Sequence, residues 1–123
     1  MNLEEIRKKY NLSLILMHGS QVSGKTHSES DTDIAFVRQN DSLKVNFLEL
    51  LADLSKLLKK DKIDLVDITH ANPLLLQKVI IKSKLLAGDK SNYDRLSLEA
   101  FHKYCDYKYF LKIHNYSYQN QQD

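Results

Sequence analysis

Two short motifs in this chain have the residue types and spacing for phosphate and metal chemistry. Gly19-Ser20 and Asp31-x-Asp33 both fall within HGSQVSGKTHSESDTDIAFV, and ten residues separate the Gly-Ser pair from the first Asp. A residue without Cβ lets the backbone pass close to a ligand. Ser20 adds a backbone N–H and a hydroxyl suited to a phosphate oxygen, best at a helix N-terminus. Ser23, Lys25 and Ser30 lie in the same loop as further phosphate donors. Asp31 and Asp33 are two apart at the head of an apolar stretch. In a strand they share one face. Two such carboxylates suit hard divalent cations, and magnesium prefers carboxylate and phosphate oxygens to an all-protein cage. A third acid from a neighbouring strand would complete a two-metal site for in-line phosphoryl displacement.

Asp64 and Asp67, in KIDLVDI, compete for that third position. Three apart in a strand, they point to opposite faces. Alternation alone does not choose between them; Asp64, nearer the strand's start, is favoured. Gly, Ser, Asp and Thr are also ordinary turn formers, so SESDTD by itself is equally a solvated connection. The combination of a Gly-Ser pair after one apolar run, an Asp pair entering another and an acid on a third favours chemistry. GSQVSGKT is not a Walker loop: one spacer residue is missing and no helical pattern follows Thr26.

The elements that must position these residues can be read in outline. Residues 3–10 predict a short helix, 13–18 a strand buried on both faces, and 32–37 a second strand. Phe47, Leu50, Leu51, Leu54, Leu57 and Leu58 form one apolar stripe, which predicts a helix over 43–60 capped by Asp41 or Ser42. Residues 62–68 predict a third strand. Asn72-Pro73 predicts a helix to about Lys82, with Asn72 as cap and Pro73 in its first turn. KLLA at 84–87 predicts a short strand ending at Gly88-Asp89, and a last helix should start near Tyr93. This is an α/β (α+β) chain: a small mixed sheet flanked by helices.

With 123 residues, a single domain is expected. It divides into a core over 1–90, a C-terminal helix over 91–116 and a polar tail, 117–123, expected to fray. Eighteen basic residues against sixteen acidic ones leave a net charge of only +2, which argues against nucleic acid as the main partner. The lone Cys105 excludes an internal disulfide. No apolar run reaches membrane-spanning length, and MNLEEIRKKY lacks the apolar core of a secretory signal. The expectation is a cytoplasmic protein. His18 abuts Gly19, which allows it to line the site, and a packed strand-end histidine is the simpler expectation for it; Arg38 is expected at the surface. In the final helix, Leu98, Phe101, Cys105 and Tyr109 make one apolar stripe, Tyr104, Tyr107 and Leu111 a second, and Phe110 and Ile113 a third. That excess, rich in tyrosine, suits a partner surface.

These residues resemble the nucleotidyltransferase superfamily of the DNA polymerase beta type, and within it the minimal nucleotidyltransferase (MNT) proteins of prokaryotes. Gly19-Ser20, Ser30-Asp31-Thr32-Asp33, the helix at 43–60 and Asp64-Leu65-Val66-Asp67 carry the resemblance over roughly residues 1–90. It implies Mg2+ and transfer of a nucleotide from a nucleoside triphosphate such as ATP. Asp31 and Asp33 would hold metal, Asp64 would complete the site and help activate the acceptor hydroxyl, and Gly19 and Ser20 would hold the triphosphate. Many such proteins are antitoxins that attach AMP to a tyrosine of an all-helical HEPN ribonuclease toxin, so the partner is also the substrate. The family often has an Arg before the loop's second Gly. Here Ser23 stands there, and Lys25, a point charge without the bidentate fork, must substitute. The alternatives are an antitoxin that neutralises its partner by binding alone, through the last helix, and nucleotide transfer to a small molecule such as an aminoglycoside.

Overall fold

The computed structural model describes residues 1–19 and 32–121, with side chains to residue 115. The elements run α1 (Leu3–Lys9), β1 (Leu12–His18), β2 (Thr32–Arg38), α2 (Phe47–Leu58), β3 (Ile63–Asp67), α3 (Pro73–Ile81), β4 (Ser83–Gly88) and α4 (Lys90–Gln121). Strand order is β3-β2-β1-β4. β1 pairs antiparallel with β2 and β4, and β2 pairs parallel with β3. The mixed sheet with flanking helices is therefore the expected architecture. Among the described residues no helix is long and apolar enough to cross a membrane.

Each face of the sheet carries its own core. Ile6, Tyr10, Leu50 and Leu54 of α1 and α2 pack on Ile15, Ile34, Phe36 and Leu65. Leu76, Val79, Ile80 and Ala100 of α3 and α4 pack on Leu14, Leu16 and Ala35. β1 lies between two strands and between both cores, which accounts for its unbroken apolar run. Leu50 and Leu54 are fully or almost fully buried; each stabilises by roughly 1.5–3 kcal/mol.

Two helix starts differ from expectation. α2 begins at Phe47, not 43, and its cap is Asn46, whose side chain accepts from Glu49 N at 3.1 Å. The expected caps, Asp41 and Ser42, are held in a turn: Asn40 Oδ1 accepts from Ser42 N and Oγ, and Arg38 Nη1 donates to the carbonyls of Asp41 and Leu43. Arg38 is thus not a free surface residue. Its side chain is largely sheltered and its Nε lies 2.9 Å from Asp67 Oδ2. That contact is an ion pair without hydrogen-bond alignment, since Nε has no aligned acceptor among the described residues. α4 starts at Lys90, because Asp89 accepts from Ser91 N through its carboxylate and from Tyr93 N through its carbonyl. It continues to Gln121, through most of the segment expected to fray. α3 has the expected cap, Asn72, accepting from Leu75 N at 2.9 Å, with Pro73 in its first turn.

Gly88 ends β4 at φ +120, and a Cβ there would lie 2.5 Å from Ser13 O and 2.7 Å from Leu14 Cδ2. The nearest obstacle is backbone, so it cannot swing away. Gly88→Ala should cost about 2 kcal/mol, read as a lower urea midpoint at unchanged slope.

Candidate active site

The strand register brings four polar residues into one row. Asp64 of β3 stands opposite Asp33 of β2, Asp33 opposite His18 of β1, and His18 opposite Ser83 of β4. Register partners share a face, with neighbouring strands about 4.8 Å apart. Leu16 and Ala35, two residues along from His18 and Asp33, belong to the core under α3 and α4. The row therefore lies at one end of that same face.

Gly19 directly follows His18 at φ +84. A Cβ there would stand 2.5 Å from Asp33 Oδ2. Glycine is needed in part because Asp33's carboxylate occupies the space a side chain would take, in addition to any approach by a ligand. Gly19 N donates to Lys82 O at 3.2 Å, which ties the turn to the end of α3.

The choice between the two candidate third acids has a structural counterpart. Asp67 stands opposite Phe36, on the other face. Its Oδ1 accepts from Thr69 N and Oγ1, and its Oδ2 pairs with Arg38. Asp64 is solvent-exposed beside Asp33. Ser20, Ser23, Lys25, Ser30 and Asp31 lie outside the described residues. Among the described residues no group of three or more His, Cys, Asp and Glu side chains is gathered as a metal site. The Asp33–Asp64 pair alone still matches the one or two carboxylates with which magnesium is held when phosphate supplies the other oxygens.

His18 stands beside Asp33, at the edge of this site, and is also packed at the end of its strand. Its Nε2 is buried without a hydrogen-bond partner among the described residues. Burial holds its pKa below the ordinary value; Asp33 and Asp64 pull it back up, and Lys78 pushes it further down. The half-buried ring is thus favoured neutral. The sign follows directly. The unfolded chain binds this proton more readily than the folded one, so stability rises with pH through the histidine range. The folded protein should lose stability as pH falls from about 6.5, and His18→Phe should flatten that part of the urea-midpoint profile.

Beyond His18, Ser83 Oγ donates to Ile80 O at 2.7 Å and shares a short hydrogen bond with the Tyr93 hydroxyl, which also donates to Ser83 O. This fixes the start of α4 to the row. Lys78 of α3 lines a groove of 380 Å³ with Leu74, Gln77, Ile81 and Tyr104. This groove was not evident from the sequence: the helix periodicity placed α3 without saying that its outer side would meet Tyr104 of α4.

α4 divides its apolar residues between two sides. Tyr104, Tyr107 and Leu111 are partly sheltered. Leu98, Phe101, Cys105, Tyr109, Phe110 and Ile113 are exposed.

Comparison with known proteins places the fold and the family. Residues 1–92 match the family described as polymerase beta, nucleotidyltransferase. The protein adenylyltransferase MntA of Shewanella oneidensis is 31% identical over 93 residues, which are 76% of this chain and 66% of that protein's length. A toxin–antitoxin structure with AMP-PNP contains a chain superposing with a TM-score of 0.70 at 24% identity, over 97% of this chain and 94% of that one. The tri-AMPylated Shewanella oneidensis HEPN toxin in complex with MNT antitoxin gives a TM-score of 0.58 at 22% identity, over 92% and 85%. At those identities the structures speak for the fold; the match over three-quarters of the sequence speaks for kinship. The chain belongs to the polymerase beta nucleotidyltransferase family.

Proposed function

We propose that this protein is an antitoxin nucleotidyltransferase that transfers AMP from ATP to a tyrosine of a partner HEPN ribonuclease. The observation that carries the reading is Asp33 facing Asp64 across β2 and β3, with the Gly19 turn closed over Asp33. Kinship with a protein adenylyltransferase supports the reaction class, and a relative's complex with an AMPylated HEPN toxin supports the partner.

Asp31, Asp33 and Asp64 would hold Mg2+, which supplies charge neutralisation at the phosphates when bound. Gly19, whose own N–H is held by Lys82 O, lets the triphosphate approach the backbone closely, Ser20 offers its backbone N–H and hydroxyl, and Lys25 and Ser30 add donors from the loop. Asp64, exposed beside Asp33, is the group suited to orient the acceptor phenol and receive its proton. The phenolic oxygen attacks the α-phosphorus, the bond to the β-phosphate oxygen breaks, and pyrophosphate leaves in line. The Leu98–Phe101–Tyr109 side of α4, exposed in the isolated chain, is the surface offered to the partner.

A second reading, an antitoxin that acts by binding alone, draws on that same exposed face and on Ser23 where the family often has Arg. Protection of cells producing the toxin separates the two. Wild type should protect and Asp33→Asn, expressed to the same level, should not. Equal protection by Asp33→Asn would replace transfer with binding. Failure to modify an aminoglycoside under the same conditions would set aside small-molecule transfer.

A further inference from the structure

We infer that the free protein is an antiparallel homodimer in which the exposed face of α4 packs against the same face of a second copy. The inference concerns assembly and goes beyond the proposed transfer. Asp94, Leu98, Phe101, Cys105, Lys108 and Lys112 follow one another at steps of four, three, four, three and four. Such steps keep side chains on one side of a helix, in the spacing of a coiled-coil seam. All six are exposed, with Leu98 at 60% and Phe101 at 53%. The domain's own core does not use them: Tyr93, Leu96 and Ala100 are the α4 residues packed into it.

Two properties of this stripe select a second copy as its occupant. The first is symmetry. The series of steps reads the same from either end, so an antiparallel α4 meets it in register. Asp94 then faces Lys112 of the second copy, Leu98 faces Lys108, and Phe101 faces Cys105. Each contact occurs twice, as a two-fold interface requires. The second property is charge. Asp94 and Lys112 lie about 27 Å apart along the helix, too far to pair within one chain. The α4 ion pair among the described residues joins Lys103 to Glu99, off this stripe. Antiparallel pairing brings opposite charges together at both ends, whereas parallel pairing would set Asp94 on Asp94 and Lys112 on Lys112. At the centre, Phe101 meets the Cys105 thiol of the second copy, a favourable sulfur–aromatic contact. Lys108 Nζ lies 5.2 Å from the centre of its own Tyr104 ring. Its head is thereby drawn aside, and its stem, with the neighbouring Tyr109, covers Leu98. The same side of α4 is offered to the HEPN partner, so the two copies shield it from water until the partner takes it.

The test is sedimentation velocity of the full chain, without partner or nucleotide, over about a hundredfold range of concentration. Wild type should pass from one copy to two as concentration rises. Phe101→Glu should raise the dimer dissociation constant about a hundredfold, because it places two charges at the centre of the contact. Asp94→Lys and Lys112→Asp should each raise it about tenfold, since each turns two attractions into repulsions. The double variant Asp94→Lys/Lys112→Asp should return to wild-type dimerisation. All these positions are exposed, so helix content by circular dichroism should match wild type throughout. A double variant no better than the single ones, or a dimer indifferent to Phe101→Glu, would overturn the inference. So would a wild type that stays a single copy at every concentration and uses Phe101 only to bind the HEPN partner, with the proposed transfer left standing. A wild type that dimerises as described yet transfers no AMP would support the inference and overturn the proposed function alone.

Discussion

Asp33→Asn should fold as wild type and lose nucleotide transfer by at least roughly a thousandfold, with Asp64→Asn close behind. The substitution keeps shape and removes charge. Asp33 sits at the centre of the polar row, with Asp64 on one side and His18 on the other. A carboxylate that holds a divalent cation against phosphate contributes several kcal/mol to the transition state, and each 1.36 kcal/mol is tenfold in rate. Folding should suffer little, because the row lies at the end of the strands and the two cores do not depend on it. The check is the initial rate of labelled AMP incorporation alongside urea midpoints. Retained transfer in Asp33→Asn would remove the acid pair from the chemistry. Charge at Asp67 answers to a different purpose: Asp67→Asn should weaken the Arg38 tie and stability with it while transfer persists.

Gly19→Ala should cost transfer about a hundredfold while the fold survives. The new methyl would stand 2.5 Å from Asp33 Oδ2, so either the carboxylate or the turn must move. Backbone at φ +84 adds strain of about 1–3 kcal/mol for a residue with Cβ. A displacement near 1 Å at a reacting centre is enough for a hundredfold loss. The expected pattern is a modest fall in thermal midpoint with a much larger fall in kcat. A midpoint loss with transfer intact would mean that the Gly19–Asp33 approach matters to the fold alone. The first residue of the Gly-Ser motif thus has a reason that the sequence alone did not offer, since it makes room for the Asp33 carboxylate.

How far the sequence could be read follows from the range of the forces involved. The apolar runs of β1 and β2, the Leu stripe of α2 and the Asn72-Pro73 start of α3 are local signals, and each element forms where they point. The start of α2 shifted because a long-range partner intervened: Arg38 captures the carbonyls of Asp41 and Leu43, and Asn46 then caps the helix. No propensity within 41–46 announces that arginine. The same applies at the site. Strand alternation separated Asp64 from Asp67 without ranking them. Register sets Asp64 opposite Asp33 and leaves Asp67 to Thr69 and Arg38. His18 acquires its surroundings only when β1 lies beside β2 and α3 folds across that face of the sheet. On α4 the extra apolar stripes were legible, and the structure sorts them into a sheltered side with Tyr104 and an open side with Phe101 and Tyr109.

The most direct test of the central claim is mass spectrometry of a HEPN-family protein from the same genome, offered as partner, after incubation with ATP and Mg2+. Wild type should leave AMP on a tyrosine of the partner, and Asp33→Asn should leave the partner unmodified. A partner that stays unmodified with wild type, or one modified equally by Asp33→Asn, would contradict the account.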